Sequence, residues 1–126
     1  MIDHVCIEVS SEERSQEIFE EILGLDRAYS FLIDEGFMTR MFGLENACEA
    51  VVYQAGKTKI EVFIRPKMGG SDSRTSHLCI TVPDREKVLK ACREKGVAIL
   101  LHPRDGRPLY YIRDHDGNLY EIKELV

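Results

Sequence analysis

The chain has 126 residues, 44% hydrophobic and 31% charged, enough for one globular domain with a real core. Its 17 Lys and Arg against 22 Asp and Glu leave a net charge of −5 with no basic stripe, which argues against nucleic acid or an anionic membrane as partner. The longest wholly apolar run, Val97 to Leu101, is far too short to span a bilayer, and the acidic start opens into a strand pattern without a signal-peptide core, so a cytoplasmic protein is expected.

Residues 3–9, DHVCIEV, alternate, with Val5, Ile7 and Val9 on one face and His4, Cys6 and Glu8 on the other, the period of a half-buried strand. Ser10 with Glu13 makes a capping box, and Ile18, Phe19, Ile22 and Leu23 recur at helical spacing until Gly24 stops the helix. Ala28 to Ile33 and Ala50 to Ala55 read as strands, and Gly56-Lys57 turns the chain into a further strand over Thr58 to Arg65. Between the first two of these, Asp34 to Asn46 is an insertion. Its Phe37, Met38, Met41, Phe42 and Leu44 are too apolar for an idle surface loop and suit a pocket wall, a subunit interface or core filling.

The second half repeats the first. In SHLCITVPDREKVLKACREKG, residues 76–96, His77, Cys79, Ile80 and Val82 match His4, Cys6, Ile7 and Val9 at one constant offset, and Asp84 caps a helix with Val88, Leu89 and Cys92 inward before Gly96. Val97 to Leu101, Leu109 to Ile112 and Leu119 to Lys123 then read as strands, separated by the Pro103 to Pro108 loop and the Asp114 to Asn118 turn. Both halves spell βαβββ, a duplicated supersecondary module. Residues 66–75, rich in Gly and Ser, read as a linker joining module 1–65 to module 76–126 within a single domain. Cys6, Cys48, Cys79 and Cys92 form no CxxC pair, so reduced, buried thiols are expected.

The strand phases single out four residues. In Lys59 to Arg65, Ile60, Val62 and Ile64 share one face, leaving Glu61, Phe63 and Arg65 on the other. In Leu119 to Lys123, Tyr120 and Ile122 share one face and Glu121 takes the other. His4, Glu61, His77 and Glu121 thus each lie opposite an aliphatic row, the histidines in the first strand of each module and the glutamates in the last. Any one of them alone is an ordinary solvent-facing strand residue. The duplicated placement of all four points instead to convergence on a divalent cation, since two neutral imidazoles and two carboxylates balance its charge. Without the ion, two enclosed carboxylates would cost several kcal/mol each. Such an N₂O₂ set suits Zn, Ni, Co, Mn or Fe better than Ca, and in octahedral geometry it leaves two positions for water or substrate.

DHVCIEV, SHLCITVPD and above all RDHDGNLYEIKE, residues 113–124, resemble the glyoxalase/bleomycin-resistance/extradiol-dioxygenase superfamily, also called vicinal oxygen chelate. Its last turn typically reads D-P-D-G-N ahead of a strand with a ligand Glu, and His115 stands here where Pro is usual. The resemblance covers nearly the whole chain and implies an α+β fold in which two βαβββ modules form a cupped eight-stranded sheet. Carried over by position, His4, Glu61, His77 and Glu121 resemble the His-Glu-His-Glu set of bacterial-type glyoxalase I.

The resemblance therefore implies a lactoylglutathione lyase-like isomerase that moves a proton through a metal-stabilised enediolate, with Glu121 or Glu61 as the base. It also implies one divalent ion (Zn, Ni, Co or Mn), a small-molecule substrate and a homodimer, with the site inside one chain or across two. The arginine by which glyoxalase I holds the glutathione carboxylate is Glu8 here, which would repel an anion, and Arg65 replaces its asparagine. Arg65, beside Phe63, is suited to bind a carboxylate bidentately, and Arg74 is a further candidate anion contact or equally a linker charge. Alternatives on the same scaffold are a methylmalonyl-CoA epimerase-like enzyme, an Fe(II) extradiol dioxygenase with His4, His77 and Glu121 as its triad, and a non-enzymatic drug-binding resistance protein. Glu61 fills a position the dioxygenase needs open, and a sequestering protein normally lacks the ligands. His102 and His115 lie in polar turns and are expected to be solvated.

Overall fold

The computed structural model of the protein describes residues 2–66 and 76–125. These fall into two compact units divided within residues 67–75, so the expected linker, apart from Pro66, lies outside the described residues. Each unit builds one four-stranded mixed sheet, and the two sheets share one topology.

In the first unit the strands are β1 (His4–Val9), β2 (Asp26–Ile33), β3 (Cys48–Ala55) and β4 (Thr58–Ile64), in the order β1-β4-β3-β2. β1 runs parallel to β4 and the other neighbours are antiparallel, so a helical crossover must follow β1. That crossover is α1 (Glu12–Ser15), which widens into a π-helical stretch over Gln16–Ile22. Its cap is Ser11 and not the expected Ser10: Ser11 takes the extended backbone of an N-cap, and its hydroxyl accepts from the Arg14 N–H at 3.1 Å. Ile18, Phe19 and Ile22 are buried, and Phe19 stacks on Tyr53 of β3 with ring centroids 5.2 Å apart. Burying each such side chain contributes about 2 kcal/mol. The Tyr53 hydroxyl donates to Glu20 at 2.8 Å and lies 3.1 Å from the buried Ser15 hydroxyl, so the helix docks without an unmatched polar group.

The insertion forms a helix, α2 (Glu35–Phe42), that the sequence reading left unassigned. Asp34 accepts from the Phe37 N–H at 2.9 Å, and Gly43 ends the helix at φ +69, a left-handed conformation that favours glycine. Met38 is buried with Ile33, Cys48, Ala50 and Phe63, which makes core filling its role, while Phe37, Met41 and Phe42 remain exposed.

The second unit contains β5 (His77–Val82), α3 (Arg85–Lys95), β6 (Ala98–His102), β7 (Leu109–Arg113) and β8 (Leu119–Glu124), ordered β5-β8-β7-β6 with β5 parallel to β8. Asp84 caps α3 by accepting from the Lys87 N–H at 3.1 Å, and Val88, Leu89 and Cys92 face inward as expected. β6 starts one residue later than its apolar run suggests, because the Val97 N–H is taken by the Cys92 carbonyl at the end of α3. His102 is consequently the exposed last residue of β6.

The D-H-D-G-N turn is built on Asp114, one of two buried polar residues among those described. It accepts from the Asp116 N–H at 3.0 Å, the Asn118 N–H at 2.8 Å, the Asn118 side-chain amide at 3.1 Å and the Tyr120 hydroxyl at 2.9 Å. Among the described residues no helix is long and apolar enough to cross a membrane.

Candidate metal centre

Pairing register places the four expected ligands in equivalent positions. In the first unit Cys6 pairs with Glu61 across β1 and β4, and in the second Cys79 pairs with Glu121 across β5 and β8. His4 and His77 stand two residues before those cysteines, on the same face. Each unit therefore presents a histidine and a glutamate on neighbouring parallel strands, on the face opposite the helix.

In the first pair His4 Nδ1 lies 3.7 Å from Glu61 Oε2 and is held by Asp3 Oδ2 at 3.0 Å. A histidine with one ring nitrogen fixed on a carboxylate offers the other as a metal ligand, a common outer-shell arrangement. Among the described residues Glu61 makes no side-chain hydrogen bond. In the second pair the glutamate is anchored. Tyr111 donates to Glu121 Oε1 at 3.0 Å, the Cys79 thiol donates to Oε2 at 3.6 Å, and Lys123 Nζ lies 3.7 Å from Oε2. Burial pushes the Glu121 carboxyl up, but the hydrogen bonds from Tyr111 and Cys79 and the charges of Lys123 and His77 outweigh it and hold the group below its ordinary value. Tyr111 also packs edge-on against the His77 ring, centroids 5.4 Å apart, so one phenol touches both members of the pair.

Each bonded oxygen of Glu121 retains a second lone pair, so the residue can accept these hydrogen bonds and still ligate a cation. In charge and type the four expected donors suit a divalent ion, and each unit carries one histidine and one glutamate of them. Within either unit taken by itself, the described His, Cys, Asp and Glu side chains form no trio around one point. Cys6 and Cys79 are exposed on this face, so only Cys48 and Cys92 are the buried thiols expected, and all four are free. Desolvation and then the neighbouring carboxylates raise the Cys6 and Cys79 thiols, which keeps them protonated.

The expected substrate contacts are placed less simply. Arg65 donates to Glu8, so the two residues form an ion pair and the charge of Arg65 is already partly answered. Arg65 also borders a cleft of about 570 Å³ with Met38, Leu44 and Cys48. Phe63 is buried beneath α2, with the Phe42 ring edge-on at 5.7 Å. Arg74 lies outside the described residues. His115 is exposed but reaches the Lys95 carbonyl at the end of α3, its Nε2 3.3 Å away. Tyr111 was not among the expected site residues. Alternation along β7 gives its face, but its partnership with Glu121 depends on a cross-strand register that local pattern does not carry.

The family model described as the Glyoxalase/Bleomycin resistance protein/Dioxygenase superfamily matches residues 1–122. Among solved structures, the chain is similar to a glyoxalase family protein from Bacillus cereus at TM-score 0.76 and 22% identity, covering 98% of this chain and 92% of that one. A glyoxalase family protein from Enterococcus faecalis aligns at TM-score 0.71 and 22% identity over 97% and 95%. A glutamate-to-glutamine variant of the fosfomycin resistance protein FosX from Listeria monocytogenes, in complex with Mn(II) and 1S,2S-dihydroxypropylphosphonic acid, aligns at TM-score 0.72 and 16% identity over 98% and 90%. No curated protein sequence matches the chain significantly. At these identities the structural likeness establishes the fold, the glyoxalase-like α+β arrangement expected from the sequence.

Proposed function

The chain belongs to the glyoxalase/bleomycin resistance protein/dioxygenase superfamily, and on that premise we propose that it is a metal-dependent lyase or isomerase that moves a proton beside a substrate carbonyl, with His4, Glu61, His77 and Glu121 as ligands of one divalent ion. The observation that carries this reading is the shared register, Cys6 opposite Glu61 and Cys79 opposite Glu121, which gives each unit the same half of a four-donor set. Mn(II) bound to FosX supports a divalent ion, with Zn, Ni and Co suited by the same donors.

When bound, the ion supplies Lewis acidity to a substrate carbonyl. The proton work falls to the chain's own carboxylates. Tyr111 and Cys79 fix Glu121 and keep it ionised, which suits a permanent ligand. Glu61 has no such tether among the described residues, so it is the carboxylate able to swing to a carbon-bound proton, take it and return it. Asp3 keeps the His4 ring oriented while Glu61 moves. The substrate is a small molecule, and a homodimer is the proposed assembly.

FosX adds a second substrate class, a small phosphonate, for which Glu61 would serve as base toward an attacking nucleophile. The test is turnover by metal-loaded protein of the glutathione hemithioacetal of methylglyoxal in heavy water, beside fosfomycin with water or thiols. Solvent deuterium entering the product carbon, lost in Glu61→Gln with the metal retained, is the expected result. Reaction of fosfomycin alone would replace the isomerase by the second reading. No turnover of either compound by stoichiometrically metallated protein would reject both.

A further inference from the structure

β7 and β8 do not stay together along their whole length. They pair at Arg113–Leu119, Ile112–Tyr120 and Tyr111–Glu121, and beyond that point they part, although β8 remains paired to β5 as far as Val82–Glu124. The gap is a cleft of about 510 Å³ lined by Arg85, Arg104, Arg107, Tyr110, Lys123 and Glu124, with Glu121 at its inner end. That volume falls in the ordinary range of small-ligand sites.

The cleft gathers arginines that no carboxylate answers. The chain is net −5, and Arg14, Arg27, Arg65 and Arg93 each hold a carboxylate, while Arg40 and Arg113, outside the cleft, form no ion pair among the described residues. Arg85, Arg104 and Arg107 form no ion pair among the described residues, and all three line this one cleft. The two acids there are already engaged: Glu124 accepts from the Arg85 backbone N–H at 2.8 Å, and Glu121 is held by Tyr111 and Cys79 with Lys123 Nζ 3.7 Å away. The Arg85 guanidinium lies over the Tyr110 ring, 4.1 Å from its centroid, which fixes its plane and leaves its edge N–H groups for a ligand. Arg104 Nε donates to the Arg107 carbonyl at 3.1 Å, which ties the loop so that both guanidinium groups stay at the rim.

We propose that this cleft binds the phosphate end of a phosphorylated small molecule. The three guanidinium forks answer a multiply charged oxyanion through bidentate hydrogen bonds, and Tyr110 offers a ring for the organic part. The cleft shares Glu121 and its neighbour Lys123 with the second His/Glu pair, but its three arginines belong to neither pair, so their removal tests this proposal apart from the metal assignment.

The test is titration of sodium pyrophosphate into the ¹⁵N-labelled full chain at low ionic strength. Saturable shifts confined to residue 85 and to residues 104–110 and 121–125 are expected, weakening as salt is added. The double variant Arg104→Ala/Arg107→Ala should lose about tenfold or more in affinity, while Arg93→Ala, which removes a paired surface arginine, should bind as the wild type does. Should the double variant unfold, Arg107→Glu alone must weaken binding. Shifts that never saturate, shifts centred on His4, Glu61 or His77, or wild-type affinity in a folded double variant would each overturn the proposal.

Discussion

In the first unit the anchored member of the His/Glu pair is the histidine, with Asp3 on His4 Nδ1 at 3.0 Å. In the second the glutamate is held as well, with Tyr111 on Glu121 at 3.0 Å and Cys79 at 3.6 Å, whereas Glu61 makes no side-chain hydrogen bond among the described residues. The scaffolding differs as well. The first unit inserts α2 between β2 and β3 and packs Met38 over Phe63, whereas the second joins β6 to β7 by the polar Pro103 to Pro108 loop. Two copies of one module keep these residues on the same register, and on the proposed reading they divide the labour, Glu121 held by hydrogen bonds for ligation and Glu61, with only His4 within ion-pair distance among the described residues, for proton transfer.

That division predicts its largest effect at the glutamates. Glu61→Gln should lower kcat by about a hundredfold or more while the protein keeps its metal, the range for loss of a general base. Glu121→Gln should lower the metal content itself. Equal metal loss in the two variants would break the comparison.

The next effect is on stability and confined to the second unit. Asp114→Ala removes the acceptor of four hydrogen bonds and strands the Tyr120 hydroxyl in the core, so it should cost about 3 kcal/mol or more in urea unfolding. Burial raises the Asp114 carboxyl above its ordinary value, although its hydrogen bonds to Asn118, Tyr120 and Asp116 oppose this. A raised acid favours the fold most below its unfolded pKa and loses that contribution as pH climbs through the folded one. Glu121 has the opposite sign. Its depressed carboxyl stabilises above the unfolded pKa, and the contribution disappears as pH falls through the lower folded value. Stability measured against pH in Asp114→Asn and Glu121→Gln should separate these limbs; identical profiles would contradict the assigned directions.

Smaller effects come from the anchors. Tyr111→Phe should weaken metal binding about tenfold, as expected for an outer-shell partner, and shift the acid limb attributed to Glu121. Asp3→Asn should do the same through His4 without touching that limb. The smallest is at the Arg65–Glu8 pair. Glu8→Gln frees Arg65 and should lower KM for an anionic substrate by about threefold, a gain no larger than one exposed ion pair is worth, whereas Arg65→Ala should raise it. No change in either variant would remove the pair from the substrate site.

Most of this architecture was legible in local pattern. Alternation gave β1 and β5, the repeat gave the common topology, Asp84 and Gly96 bracketed α3, and the strand phases put His4, Glu61, His77 and Glu121 on one kind of face. The α2 helix was legible too but passed unread: Asp34 as cap, Met38, Met41 and Phe42 at helical spacing, and Gly43 as stop are all local signals. Adjacent Ser10 and Ser11 both qualify as a cap, and only the backbone angle at Ser11 decides between them. What local pattern could not carry was non-local. The Tyr111 hydroxyl on Glu121, the Arg65–Glu8 pair and the parting of β7 from β8 all depend on how strands register across a sheet.

The most direct test of the two-pair account is elemental analysis of the purified wild-type chain beside Glu61→Ala and Glu121→Ala, each after loading with Mn, Co, Ni or Zn. The account predicts one ion per wild-type chain and loss in both alanine variants, deeper in Glu121→Ala, because alanine, unlike glutamine at position 61, leaves no oxygen to ligate. Stoichiometric metal retained in either variant, or a wild type that binds none of these ions, would contradict it.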